Sequence, residues 1–190
     1  PIANDVKMQV EFNPAQVAAY RLIGYETRML SRQDFKDDKV DAGDMGAGHT
    51  VTAIYEITPA GAADRLVDPL RYGERKKAAP AAKSGELCFV RVRYKLPGES
   101  TSRLVEQSVR AASARTTLAS APLDQRFAVA VAAFGQRLRG ESQLADYSYA
   151  DIADLANGAR GVDSEGYRAE FVKLVRMTES LGKAGAAGQP

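Results

Sequence analysis

The stretch from Cys88 to Leu96 constrains this chain more than any other. Cys88, Val90, Val92, Tyr94 and Leu96 alternate with Phe89, Arg91, Arg93 and Lys95. A helix would scatter these two sets around its circumference, whereas a strand sends alternate side chains to opposite faces. The stretch therefore reads as a strand with one apolar face. Pro97-Gly98 supplies a turn, and Arg103 to Arg110 reads as the returning strand. Cys88 runs in phase with Val90 and Val92. That makes it a small core residue, expected to react slowly with thiol reagents until the protein unfolds.

The same period recurs upstream. Val6, Met8, Val10 and Phe12 alternate with Lys7, Gln9 and Glu11, again a strand with one buried face. Asn13-Pro14 interrupts it, and a short helical turn is expected there. Tyr20, Leu22, Ile23 and Tyr25 carry apolar groups on both faces, the pattern of a strand covered on both sides, with Gly24 allowing a bulge or a close approach. Asp34 to Gly48 is acidic and glycine-containing and reads as a loop, and Thr50 to Ile57 is rich in β-branched residues and reads as a strand. Pro59 to Gly85, with the basic cluster Arg75-Lys76-Lys77, reads as a long mobile connection.

The period changes near Pro122. Phe127, Val131, Phe134 and Leu138 share a helix face. Ser148 and Asp151 form a capping-box pattern before Ile152 and Leu155, with Asn157-Gly158 as the stop. Tyr167, Phe171, Leu174, Val175 and Leu181 make a third stripe, with Asp163 or Ser164 as its cap. Strands first and helices afterwards make an α+β fold. The expected organisation is an antiparallel β-sandwich-like part over 1–118, three helices over 119–182 packed on or beside it, and a frayed tail over 183–190. The residues expected to hold it together are Phe12, Tyr20, Leu22, Tyr25, Tyr55, Val90 and Val92.

Composition removes several function classes. With 45% apolar residues the chain can build a core. A net charge of +2, with both signs dispersed, gives no basic face for nucleic acid. No apolar run approaches the roughly 20 residues of a membrane span, and no signal peptide is visible. The chain opens on Pro1 rather than on methionine, which suggests a piece of something longer. One cysteine and one histidine fall short of the usual zinc site.

Two features invite a chemical reading. Asp34, Asp37, Asp38, Asp41 and Asp44 offer hard oxygens to a metal, and His49 follows them. An EF-hand starting at Asp37 would need an acid where Lys39 stands and a glycine where Ala42 stands, so the calcium motif fails. A catalytic His49 needs a nucleophile and an orienting carboxylate, and no Gly-x-Ser-x-Gly elbow occurs. Gly43, Gly46 and Gly48 precede a strand, not the helix of a phosphate loop. No cofactor and no tightly held metal are expected. A metal-dependent or hydrolytic enzyme using His49 and the loop 34–44 stands as the alternative.

With these residues in view, the runs FNPAQVAAYRLIGYETRML, DFKDDKVDAGDMGAGHTVTAIYEI and VRVRYKLPGE resemble one family, and so do FAVAVAAFGQRLRG, YSYADIADLA and GYRAEFVKLV. It is the C-terminal domain of unknown function that follows a von Willebrand factor type A domain in bacterial envelope proteins, often lipoproteins. The resemblance spans nearly the whole chain. It implies a non-enzymatic structural or interaction module in the cell envelope, periplasmic or extracellular. Its partners would be the type A domain of the same parent chain and another envelope protein. The Asp-x-Ser-x-Ser adhesion motif of type A domains is missing here, since Asp163-Ser164 runs into Glu165, so no metal ligand or catalytic residue carries over. Related architectures set the type A domain inside a β-sandwich, which implies that a partner strand comes from elsewhere. Val6 to Phe12 is then the expected neighbour of the gap. A carbohydrate- or peptide-binding sandwich is the third reading.

Overall fold

The computed structural model describes residues 1–24, 29–62, 85–115, 117–141, 144 and 147–187, with side chains to residue 182. Tyr25 and the Arg75-Lys76-Lys77 cluster lie outside the described residues. The chain forms two compact units, Pro1–Ala114 and Arg115–Pro190. The first is built of antiparallel strands and the second of three helices, so the fold is α+β.

In the first unit the strands are β1 (Ala3–Phe12), β2 (Val17–Leu22), β3 (Gly43–Met45), β4 (Tyr55–Pro59), β5 (Glu86–Lys95) and β6 (Arg103–Arg110). They make a four-stranded sheet in the order β3-β1-β5-β6 and a two-stranded ribbon, β2-β4. The alternating patterns place β1, β5 and β6 in register, so Met8, Val92 and Val105 form one row across the sheet and Lys7, Arg93 and Leu104 the next. Phe12 joins the two sheets. Its ring stacks on Tyr20 at 4.3 Å between centroids and meets Tyr55 edge-on at 5.3 Å.

Several expectations are corrected here. Only Tyr55–Pro59 of the β-branched stretch is a strand, and residues 50–54 lie outside it. A short strand, β3, sits inside the acidic loop. The short helical turn expected after Phe12 is present: the Asn13 side-chain oxygen accepts from Ala15 N–H (3.0 Å), and its carbonyl accepts from Gln16 N–H (3.0 Å) and Val17 N–H (2.8 Å). Cys88 is half-buried, short of a core position. In β1 the side chain that disappears is Lys7, 3% exposed, while Met8 is 51% exposed. The reason is that another segment folds over the polar face of the sheet, as described below.

The second unit contains α1 (Leu123–Leu138), α2 (Tyr149–Gly158) and α3 (Tyr167–Ala187). Its core is Ala130, Ala133, Phe134, Ile152, Ala153, Ala156, Val172 and Val175. The buried stripes are rotated from those expected: Val131, Leu138, Leu174 and Leu181 are exposed. Alanines let the helices approach closely, and the seam follows them. Phe134 and Phe171 meet edge-on at 5.5 Å, and Phe171 meets Phe127 at 5.4 Å.

Caps hold the helix ends. Ser148 accepts from Asp151 N–H (3.1 Å), and the Asp151 carboxylate accepts from Ser148 N–H (2.9 Å), the capping box read from the sequence. The Asp163 carboxylate accepts from Arg168 and Ala169 N–H at the start of α3. Arg168 ties the unit together. One guanidinium nitrogen donates to the carbonyls of Ala159 and Arg160 beyond α2, and the other reaches the Asp124 carboxylate in the first turn of α1 at 2.6 Å. Its guanidinium carbon lies over the Phe127 ring, 4.8 Å from the ring centre.

Ile152 is fully buried, so Ile152→Ala should cost the helical unit about 2–5 kcal/mol. Ser148→Ala, which removes only the cap, should cost about 1 kcal/mol. Chemical denaturation followed by helical circular dichroism checks both, and equal losses would show that the core assignment is wrong.

Candidate functional site

The acidic segment singled out in the sequence lies as a strap across the polar face of the four-stranded sheet. Phe35, 6% exposed, is its apolar anchor. The rest of its attachment is polar, and most of it comes from cations of the sheet below. Lys7 of β1 donates its ammonium to two main-chain carbonyls, Asp34 O at 3.2 Å and Asp37 O at 2.5 Å. Arg93 of β5 donates to Lys36 O at 3.1 Å and to the Asp38 carboxylate at 3.0 Å. Lys95 of β5 donates to Asp38 O at 2.7 Å and to the Asp5 carboxylate at 2.6 Å. Burying an ammonium is costly unless acceptors replace its water, and the strap's carbonyls supply them.

Asp5 fixes the geometry of this corner. It has φ +50°, in the left-handed region, and both ladders of β1 shift register around it. Its N–H donates to the Asp44 carboxylate (3.2 Å), and its own carboxylate accepts from Ala42 N–H (3.2 Å) as well as from Lys95. The hydrogen bond from Lys95 is the chief reason that the Asp5 carboxyl sits below the usual carboxylate range. Asp38 is lowered too, first by the Ser102 hydroxyl, which donates at 2.6 Å, then by the Ser102 N–H and the charges of Arg93 and Lys95, against the opposing effect of burial.

The candidate residues are thus engaged one by one and do not converge. Asp34 and Ser31 cap each other, carboxylate to Ser31 N–H and hydroxyl to Asp34 N–H, both at 3.2 Å. The Asp37 carboxylate accepts from Lys39 N–H at 2.9 Å. Asp38 faces Arg93 and Ser102, Asp44 faces Asp5, and Asp41 is exposed. His49 is exposed at a turn, its N–H donating to Gly46 O at 3.2 Å. Its ring lies over Gly46, where a Cβ would come within 2.7 Å of Nδ1. Among the described residues no three His, Cys, Asp or Glu side chains gather as a metal would need. Cys88 lies on the opposite face of β5 from Arg93, and burial pushes its thiol up.

Past the strap the polar face stays open as a groove of about 600 Å³. Gln9, Glu11, Arg91 and Glu106 line it from the sheet, and Arg32 and Lys36 line it from the strap. Arg91 is held by Glu106 (3.1 Å) and Gln9 (3.3 Å). The residues that sequence reasoning missed are Asp5, Lys7, Arg93, Lys95 and Ser102. The available signal was the basic side of the period-two strand, three cations on one face of β5 facing a loop of five aspartates.

Fold and site together define a two-unit α+β module in which an acidic strap is pinned to a sheet by basic side chains. The chain belongs to the family described as "Uncharacterized protein YfbK, C-terminal", which it matches over residues 1–181. It is 42% identical over 180 residues to the Escherichia coli (strain K12) protein described as "Uncharacterized protein YfbK". That match covers 95% of this chain and 30% of the relative, so the chain spans under a third of the relative's length. No solved structure matches the chain.

Two outcomes test the strap. Lys7→Met leaves the Asp34 and Asp37 carbonyls without their donor. It should cost about 1.5–3 kcal/mol and speed proteolysis between residues 31 and 41. The second concerns pH. Asp5 and Asp38 have folded values below 3.8, so the stability they contribute is present above that value and is lost as pH falls through the lowered folded values. The Ser102 amide resonance should follow this transition with a midpoint below 3.8, and Asp38→Asn should abolish it.

Proposed function

We propose that this chain is a non-enzymatic structural and interaction module that accompanies a von Willebrand factor type A domain in bacterial cell-envelope proteins. The observation that carries this reading is the fate of the acidic strap. The Asp38 carboxylate is taken by Arg93 and Ser102, and those of Asp34, Asp37 and Asp44 accept from backbone N–H groups of Ser31, Lys39 and Asp5. The His49 ring packs on Gly46. The relative's greater length supports a module that works beside other domains. A carbohydrate- or peptide-binding role has one feature in its favour, the groove bordered by Arg32, Lys36 and Arg91.

The experiment has three arms. The full-length natural protein should fractionate with the cell envelope. Calorimetry of this chain with calcium, magnesium and zinc should give no stoichiometric heat. This chain, added to a parent from which it has been deleted, should bind the remaining type A portion one to one. Hydrolysis of ester or phosphoester substrates that is lost in His49→Ala would overturn the reading. Saturable oligosaccharide or peptide binding that is lost in Arg91→Ala would favour the groove instead.

A further inference from the structure

We propose that the groove on the polar face of the sheet is a docking site for an acidic peptide segment of a partner protein. This rests on the second reading above, a groove that binds a carbohydrate or a peptide, and decides between the two ligands. It does not depend on the neighbour being a type A domain.

The cations here differ in what already holds them. Lys7, Arg93 and Lys95 are committed to fastening the strap. Arg32 and Lys36, both exposed, line the groove from the strap itself. Their guanidinium and ammonium groups have no hydrogen-bond or ion-pair partner among the described residues. Arg91 lines the groove from the sheet and is held in place. Its Nε donates to Glu106 (3.1 Å), its Nη1 donates to Gln9 (3.3 Å), and its guanidinium carbon lies 5.1 Å from the Phe89 ring centre. Its Nη2 has no acceptor among the described residues. The groove therefore presents two free cations and one oriented guanidinium with donors to spare.

The neighbouring groups select a peptide. Free cations and spare guanidinium donors call for carboxylates. The Gln9 side-chain oxygen is taken by Arg91, which leaves its amide N–H groups for a main-chain carbonyl. The Glu11 carboxylate, 59% exposed and 3.9 Å from Arg91, can accept from a main-chain N–H. Carboxylate, carbonyl and N–H together are the groups of an acidic peptide. Leu104, 52% exposed in the lining, offers an apolar contact to a side chain between two acids. A nucleic acid would bring its phosphates against Glu11 and Glu106. An oligosaccharide would leave both free cations unused. It would also find no ring to stack on, since Phe35, the aromatic residue of the lining, is 6% exposed. The volume of about 600 Å³ suits a short segment of chain.

Calorimetry of this chain compares three probes. The first is an acetylated, amidated five-residue peptide with glutamate at its second and fourth positions and leucine between them. The others are its glutamine analogue and a neutral chitin hexasaccharide. The glutamate peptide should bind one to one, about tenfold tighter than its analogue at low salt, and the contrast should shrink as salt rises. Arg32→Glu with Lys36→Glu should weaken it about tenfold. Neither side chain has a partner, so the Ser102 amide resonance should not move in that variant and reports an intact strap. Glu106→Gln removes a carboxylate from the groove and loosens its hold on Arg91, and should tighten the peptide about threefold. Lys173→Glu with Arg176→Glu makes the same change of net charge on the helical unit and should leave binding unchanged. Equal affinity for the glutamine analogue, or equal weakening by the helical pair, would overturn the proposal. So would saturable binding of the hexasaccharide alone, which would leave the groove reading standing with the other ligand. No saturable binding of any probe would overturn both.

Discussion

The first unit depends on the ion pair between Lys95 and Asp5, 2.6 Å long and placed at the one residue where β1 leaves regular geometry. A left-handed backbone costs a non-glycine residue on the order of 1–2 kcal/mol, and aspartate tolerates it better than most. Asp5 offsets that cost with hydrogen bonds to Ala42 and Asp44 and with the Lys95 ammonium. The register shift around it decides which face Lys7 occupies. A slip of one residue would turn Lys7 toward the apolar rows and Met8 toward the strap.

From that corner the two faces of one sheet follow different physics. One is held by charge meeting carbonyl and carboxylate, with a single phenylalanine beneath. The other is held by aromatic stacking at one end, while Met8 and Val105 are about half exposed at the other. The helical unit uses charge differently again. Arg168 spans three elements, and each of its contacts satisfies a group that a helix end or an aromatic face leaves open: two carbonyls, a carboxylate and a ring.

Much of this was legible in the sequence, and what was not has physical causes. Period two located β1 and β5, because that alternation has no helical equivalent, and the Pro97-Gly98 turn located β6. Ser148 with Asp151 announced the start of α2, because a cap is a local contract between a side chain and a nearby N–H. The face of β1 that would be buried was not legible, since alternation separates two sets of side chains without saying what will cover them. Lys7 is buried because residues 31–38, far away in sequence, fold over it. The helical seams were judged only in part, because large residues were weighted and alanines were not: Phe134, Ile152 and Val175 are buried as read, but Ala130 and Ala156 are as fully buried as Ile152 and Val175. Thr50 to Ile54 has strand-like residues but lies outside β4, although the Ile54 carbonyl accepts from Ile23 N–H (2.8 Å) just beyond the ladder. The acids of the strap were visible as a cluster. Only the fold shows that the sheet's cations take the strap's carbonyls and the Asp38 carboxylate, while Asp34, Asp37 and Asp44 accept from backbone N–H groups.

The manner in which the strap is fastened bears on how such a sequence can change. Four of its contacts to the sheet's cations end on main-chain oxygens, those of Asp34, Lys36, Asp37 and Asp38. Every residue type carries that oxygen. The sheet therefore grips a backbone path more than a set of side chains. Asp37 or Lys36 can be exchanged in a homologue without releasing the strap, provided that the turn and the apolar plug at Phe35 persist. Lys7, Arg93 and Lys95 have no such freedom. On the acidic half only Asp38 shares that restriction, because its carboxylate itself meets Arg93 and Ser102.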